Sequence, residues 1–202
     1  PMTMAASLGT AFLKTNTTLD TPDIQFHIQP FSASAPADGP HKFSAFTASV
    51  LQMRPESTGH IALKSANWRD HPAIHPNYLA TKLDQDTIVK GIQIARKIAQ
   101  FEPLKAHITG EFTPGSGVAL DNYDATLTWA RDNSVTIYHP NGTCKMGQDD
   151  MAVVEARLRV HGIKGLRVAD CSIMPTITSG NTNAPAIMIG EKLSDMVLAD
   201  AK

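Results

Sequence analysis

From Asp23 to Pro30 the chain reads DIQFHIQP, with Ile24, Phe26 and Ile28 alternating against Gln25, His27 and Gln29. A period of two marks a strand with one buried face. Phe43 to Met53 predicts a second strand and His60 to Lys64 (HIALK) a third, with Pro55 and Gly59 at the turn between them. The intervening SASAPADGPHK, residues 32–42, is rich in Ser, Pro and Gly and predicts an exposed loop. Strands joined by loops rather than helices predict an antiparallel sheet.

After Asp84 the period changes. Apolar residues at Ile88, Ile92, Ala95 and Ala99 share one helical face, and Pro103 blocks continuation of that helix. Asp121 is placed to cap a second helix, with Asp124 in its first turn and Leu127 and Ala130 facing inward. Short strands are predicted at Val135 to Tyr138 and at Gly165 to Ala169. A last helix is expected from near Asn183 to Leu198, with Pro185 in the first turn, where proline is tolerated. Its apolar face would hold Met188, Leu193, Met196 and Val197.

Composition narrows the classes without choosing one. The 202 residues allow one large or two small cores, and 42% hydrophobic with 18% charged residues is ordinary for a globular chain. Eighteen basic and nineteen acidic residues nearly cancel, which argues against an electrostatic nucleic-acid surface. No apolar run reaches the roughly 20 residues of a membrane span. PMTMAASLGTAFLKTN lacks the basic start of a secretory signal, and opening on Pro1 suggests a chain cut from something longer. Cys144 and Cys171 form no CxxC pair; free thiols in a reducing cytosol are the simpler reading, with one disulfide as the alternative.

Several chemical signals are weak taken singly. His71 and His75 in HPAIHP have helical metal-ligand spacing, but the prolines at 72 and 76 favour an extended loop. Gly115-Ser116-Gly117 lacks the rest of a dinucleotide fingerprint. Cys144 and His139, five residues apart, do not by spacing make a nucleophile–base pair. SGNTNAP leads into the last helix, whose start offers unpaired N–H groups and partial positive charge. By itself that stretch reads as Asn183 capping a helix and Asn181 shaping a turn.

Two stretches together say more. YHPNGTCKMG (138–147), then LRVADCSIMP and SGNTNAPAIMIGEK, resemble the C-terminal part of the glucose–methanol–choline (GMC) oxidoreductases, especially their choline dehydrogenase-like and primary-alcohol dehydrogenase-like members. The likeness extends upstream more loosely through DIQFHIQP, RPESTGHIALKS and HPAIHPNYL.

The resemblance implies an α+β chain: an antiparallel sheet backed by helices, plus a C-terminal strand and helix that complete an FAD-binding domain. Residues 1–133 would supply a substrate-binding portion, and residues 134–202 the catalytic loop and the end of the FAD domain. The implied activity is FAD-dependent oxidation of a small alcohol to an aldehyde, with hydride passing to flavin N5. His139 matches the family's base, and Asn181 the second active-site position, hydrogen-bonded to the same substrate oxygen. To accept a proton, His139 must be neutral beforehand. Ala169 and Asp170 match a contact with the FAD pyrophosphate or ribityl region. Backbone around Thr182, Asn183 and Pro185, with the helix dipole behind it, would stabilise negative charge on the reduced flavin. Gly142 and Gly147 would let backbone pass close to the ring.

No GxGxxG fingerprint occurs in the chain. The resemblance therefore implies a partner, an N-terminal FAD-binding portion, without which the chain is expected to hold FAD weakly and not to turn over. Self-association through surface left exposed, a cytoplasmic or membrane-peripheral location, and a dehydrogenase rather than an oxidase complete the expectations. The competing reading is a non-catalytic module binding a substrate or partner without FAD; a thiol hydrolase using Cys144 and His139 is a third.

Overall fold

The computed structural model describes residues 7–34 and 38–201, so residues 1–6, 35–37 and 202 lie outside it. The reading of Pro1 and the middle of the 32–42 loop fall on those residues. The described chain forms two compact units, one from Pro1–Ser57 and Leu79–Val135, the other from Thr58–Tyr78 and Thr136–Lys202.

The first unit carries a three-stranded antiparallel sheet in the order β1 (Gly9–Leu13), β2 (Ile24–Gln29), β3 (Thr47–Gln52). Ile24 and Phe26 are buried, as the alternation requires. Gln25 is buried too, because its amide reaches Thr10 Oγ1 at 3.2 Å and His27 Nε2 at 3.0 Å. A central strand covers part of both its faces, so its polar positions need partners.

Helix α1 (Lys82–Ile98) starts where Thr81 Oγ1 accepts the Asp84 N–H at 3.3 Å and ends with Arg96 and Lys97 in its last turn. Its buried residues are Asp84, Thr87, Val89, Gly91 and Ile92, a wider set than the single face expected from Ile88, Ile92, Ala95 and Ala99. The reason is that α1 lies between β3 and α2 (Tyr123–Asn133), so two of its faces are covered. Gly91 makes the sheet contact close: a Cβ there would stand 2.5 Å from Val50 Cγ1. The cap of α2 is Asn122, not Asp121; its Oδ1 accepts the Ala125 N–H at 2.9 Å, while Leu127 and Ala130 are buried as anticipated. Glycines 115 and 117 lie in a loop pinned to α1, where Arg96 pairs Nε and Nη2 with Glu111 at 2.7 Å and donates to the Gly115 and Val118 carbonyls.

The second unit contains the hairpin β4 (His60–Ala62) and β5 (Ala73–His75), then an irregular region and helix α3 (Asn183–Asp200). HPAIHP, expected as extended loop, therefore contributes β5, and His75 stacks on His60 with ring centroids 4.5 Å apart. The predicted strand at 135–138 is absent. Val135 is 79% exposed, the Tyr138 N–H bonds Thr136 Oγ1 at 3.1 Å, and Tyr138 sits at φ 63°. A local side-chain turn has replaced the ladder. The strand expected at 165–169 is reduced to one antiparallel bridge, Arg159 with Arg167, beside bridges of Val154 to Met146 and Val160.

These bridges surround the unit's core of Val154, Leu158, Ile173, Met174 and Ile189. Leu193 and Met196 of α3 pack against it as expected, but Met188 and Val197 are 54% and 46% exposed. Ile189 takes the inward place, because the covered face of α3 runs through 189, 193 and 196, at the spacing of one helical stripe. At the far end of α3, Asp200 accepts hydrogen bonds from Arg157, Arg159 and Arg167.

Candidate functional site

The loop that carries His139 is fixed by backbone bonds into the second unit's core. The Cys144 N–H donates to Ser172 O at 2.9 Å and the Met146 N–H to Ile173 O at 2.8 Å. Gly142 turns at φ 82°, and a Cβ there would stand 3.5 Å from the Met174 carbonyl oxygen, so its conformation rather than its bulk calls for glycine. Pro140 stiffens the position after the imidazole, and Asn141 Nδ2 donates to the His139 carbonyl at 3.3 Å.

The half-buried imidazole is held at both nitrogens. His139 Nε2 lies 3.1 Å from Asn181 Nδ2, and His139 Nδ1 lies 2.8 Å from Thr182 Oγ1. Both partners come from the segment entering α3. Thr182 is the N-cap of that helix, yet its side chain makes no capping hydrogen bond. The Ala186 N–H donates to Thr182 O at 2.9 Å, and the Thr182 side chain does not cap the N–H groups of Asn183 and Ala184 ahead of it. A helix start in this condition carries partial positive charge and suits an anionic group or a polarised carbonyl. The N–H groups at such a start fit a flavin, whose ring carbonyl oxygen they would be suited to hold.

Of the residues anticipated from sequence, His139, Asn181 and Thr182 meet in one cluster, with Asn183 and Pro185 following in the first turn of α3. Ala169 and Asp170 have contacts of their own. Ala169 packs against the core, and Asp170 caps a short 3-10 turn at Cys171–Ile173, its Oδ1 accepting the Ser172 N–H at 2.7 Å. Asn183 is not the cap of α3; Thr182 is. Sequence reasoning placed Thr182 only by its backbone and missed its hydroxyl, for which a threonine just before a predicted helix start was the available signal. Cys144 and Cys171 are both free thiols, and Cys171 Sγ faces Thr182 O at 3.9 Å. Among the described residues no set of three His, Cys, Asp or Glu side chains is arranged to hold a metal ion. No described helix is long and apolar enough to cross a membrane.

Residues 55–190 match the GMC oxidoreductase C-terminal family model, and the chain belongs to the GMC oxidoreductase family. Among its curated relatives, the oxygen-dependent choline dehydrogenase of Pseudomonas fluorescens (strain SBW25) is 41% identical over 186 residues, 92% of this chain and 32% of that protein. Alcohol dehydrogenase [acceptor] of Pseudomonas putida is 40% identical over 190 residues, 93% of this chain and 34% of that one. Among solved structures, a formate oxidase from Aspergillus oryzae RIB40 studied for its FAD modification superposes with a TM-score of 0.79 at 28% identity, over 90% of this chain and 32% of that one. The chain thus spans about a third of the length of these relatives.

Proposed function

We propose that the chain supplies the C-terminal portion of an FAD-dependent enzyme that oxidises a small alcohol to an aldehyde. The observation that carries this is the meeting of His139 Nε2 and Asn181 Nδ2 at 3.1 Å beside the uncapped start of α3. The alcohol O–H binds with its oxygen toward both groups. Neutral His139 takes the hydroxyl proton at Nε2, and the Asn181 carboxamide N–H steadies the negative charge that develops on oxygen. FAD, when bound, accepts the hydride that leaves the same carbon, which becomes a carbonyl carbon. The Asn183 and Ala184 N–H groups, with Pro185 setting the turn, would hold the part of the cofactor that becomes negatively charged. Contact of Ala169 and Asp170 with the cofactor belongs to the same proposal.

In this reading residues 1–133 belong to the substrate-binding part and residues 134–202 to the catalytic loop and the end of the FAD domain. A partner portion carries the dinucleotide fingerprint that this sequence lacks, and without it the chain neither holds FAD firmly nor turns over. The free thiols of Cys144 and Cys171 suit a reducing, cytoplasmic setting. The test is anaerobic addition of a panel of small alcohols, choline included, to the chain joined with its FAD-binding portion. Bleaching of the flavin absorbance by one of them supports the proposal; a flavin that stays oxidised with every alcohol contradicts it.

A further inference from the structure

We propose that Thr182 is a positioning residue: its hydroxyl holds the His139 ring proton on Nδ1, so that Nε2 is the atom left to accept a proton. This deepens the reading of His139 as base and rests on it. A carboxamide nitrogen only donates hydrogen bonds, so Nε2, 3.1 Å from Asn181 Nδ2, must present its lone pair. A neutral imidazole with a bare Nε2 carries its proton on Nδ1, and that proton points to Thr182 Oγ1 at 2.8 Å.

The first turn of α3 explains why the hydroxyl is available for this. A threonine at an N-cap ordinarily accepts from the N–H of the second or third helical residue. Counting from Thr182, the third is Pro185, which has no N–H to give. The second, Ala184, keeps its N–H, but Thr182 stands at φ −90°, ψ 2° rather than in the extended conformation of a capping residue; its side chain makes no capping bond, and its oxygen turns to the imidazole instead. The residue is 7% exposed, so water does not readily take that place. Its branched side chain also has few χ1 choices, which fixes the direction of the oxygen. The proline at 185 thus removes one of the two N–H groups that the cap hydroxyl could otherwise take.

The test reads the tautomer directly, without turnover. The chain is labelled with nitrogen-15 at its eight histidines, and His139→Gln identifies the His139 signals. Spectra are taken at alkaline pH, where an imidazole is neutral. The wild-type chain is expected to show Nδ1 protonated and Nε2 bare. Thr182→Val should move population to the Nε2–H form, and Thr182→Ser should restore the wild-type pattern. Should the valine variant not fold, Thr182→Ala removes the same hydroxyl with less bulk. A wild-type His139 protonated on Nε2, as with the Asn181 amide turned to offer its oxygen, would overturn the proposal. So would a hydroxyl-free variant with an unchanged tautomer. With the FAD-binding portion present, Thr182→Val should slow flavin reduction about tenfold, the worth of one neutral hydrogen bond, with Thr182→Ser close to wild type. If the tautomer behaves as stated but His139→Ala still oxidises alcohol at full rate, the reading of His139 as base fails and the assignment of Thr182 stands.

Discussion

Asn181 Nδ2 lies 3.1 Å from His139 Nε2, although 42 positions of sequence separate the two residues. An imidazole nitrogen and a carboxamide N–H converging in this way can engage one oxygen atom between them, the nitrogen taking its proton and the amide its developing charge.

Removing the amide should therefore slow chemistry more than binding. Asn181→Ala, joined with the FAD-binding portion, is expected to lower the rate of alcohol-driven flavin reduction about a hundredfold, as loss of one charge-stabilising donor does. Rapid-mixing absorbance over a range of alcohol concentrations separates that rate from substrate affinity.

Asp84 organises the first unit. It is 1% exposed, and its carboxylate accepts from Gln52 Nε2 at 2.8 Å and from the Glu56 and Ser57 N–H groups at 2.9 and 2.8 Å. Burial pushes its pKa upward, but the hydrogen bonds from Ser57, Glu56 and Gln52 outweigh this and hold the carboxyl below its ordinary value. With the folded pKa below the unfolded one, the stabilisation is present above the unfolded value, near 4, and is lost as pH falls through the folded one. Asp84→Ala leaves three donors without their acceptor and should cost about 3 kcal/mol in urea unfolding at neutral pH.

Gly91→Ala sets two effects against each other. Alanine improves helix propensity by about 1 kcal/mol, but its Cβ would stand 2.5 Å from Val50 Cγ1, on a side chain stiff at χ1. Overpacking of this kind costs about 1–3 kcal/mol, so net destabilisation is expected. Val50→Ala in the same chain should relieve it, and a double-mutant cycle measures the coupling.

Asp200 is held well below the usual carboxylate range, to about 2, by Arg159 first and then by Arg167 and Arg157. Its contribution is complete above the unfolded pKa, near 4, and disappears as pH falls through about 2. Protection from hydrogen exchange at the C-terminal end of α3, taken relative to the intrinsic rate at each pH, should fall over that window in the wild type. Asp200→Asn should show the low protection already at neutral pH.

Sequence periodicity located β2, β3, α1, α2 and α3; Ile24, Phe26, Ile92, Leu127 and Ala130 carry the pattern as buried positions, while every residue of β3 is only part-buried. It missed β1, where Gly9–Leu13 pairs with β2 inside a threonine-rich stretch of weak alternation. It also drew strands at 135–138 and 165–169 from apolar alternation, which says nothing about whether a neighbouring strand is present to pair with. For the site, the separate motifs around His139 and Asn181 were weak until family resemblance joined them. The hydroxyl of Thr182 was not legible, since its direction depends on a proline three residues on and on a ring 43 positions away.

The most direct measurement is the rate at which a good alcohol substrate reduces the flavin in the joined protein carrying His139→Ala. With flavin retained, removal of the base should slow that step about 10²–10⁴-fold. Reduction at close to the wild-type rate would contradict the account.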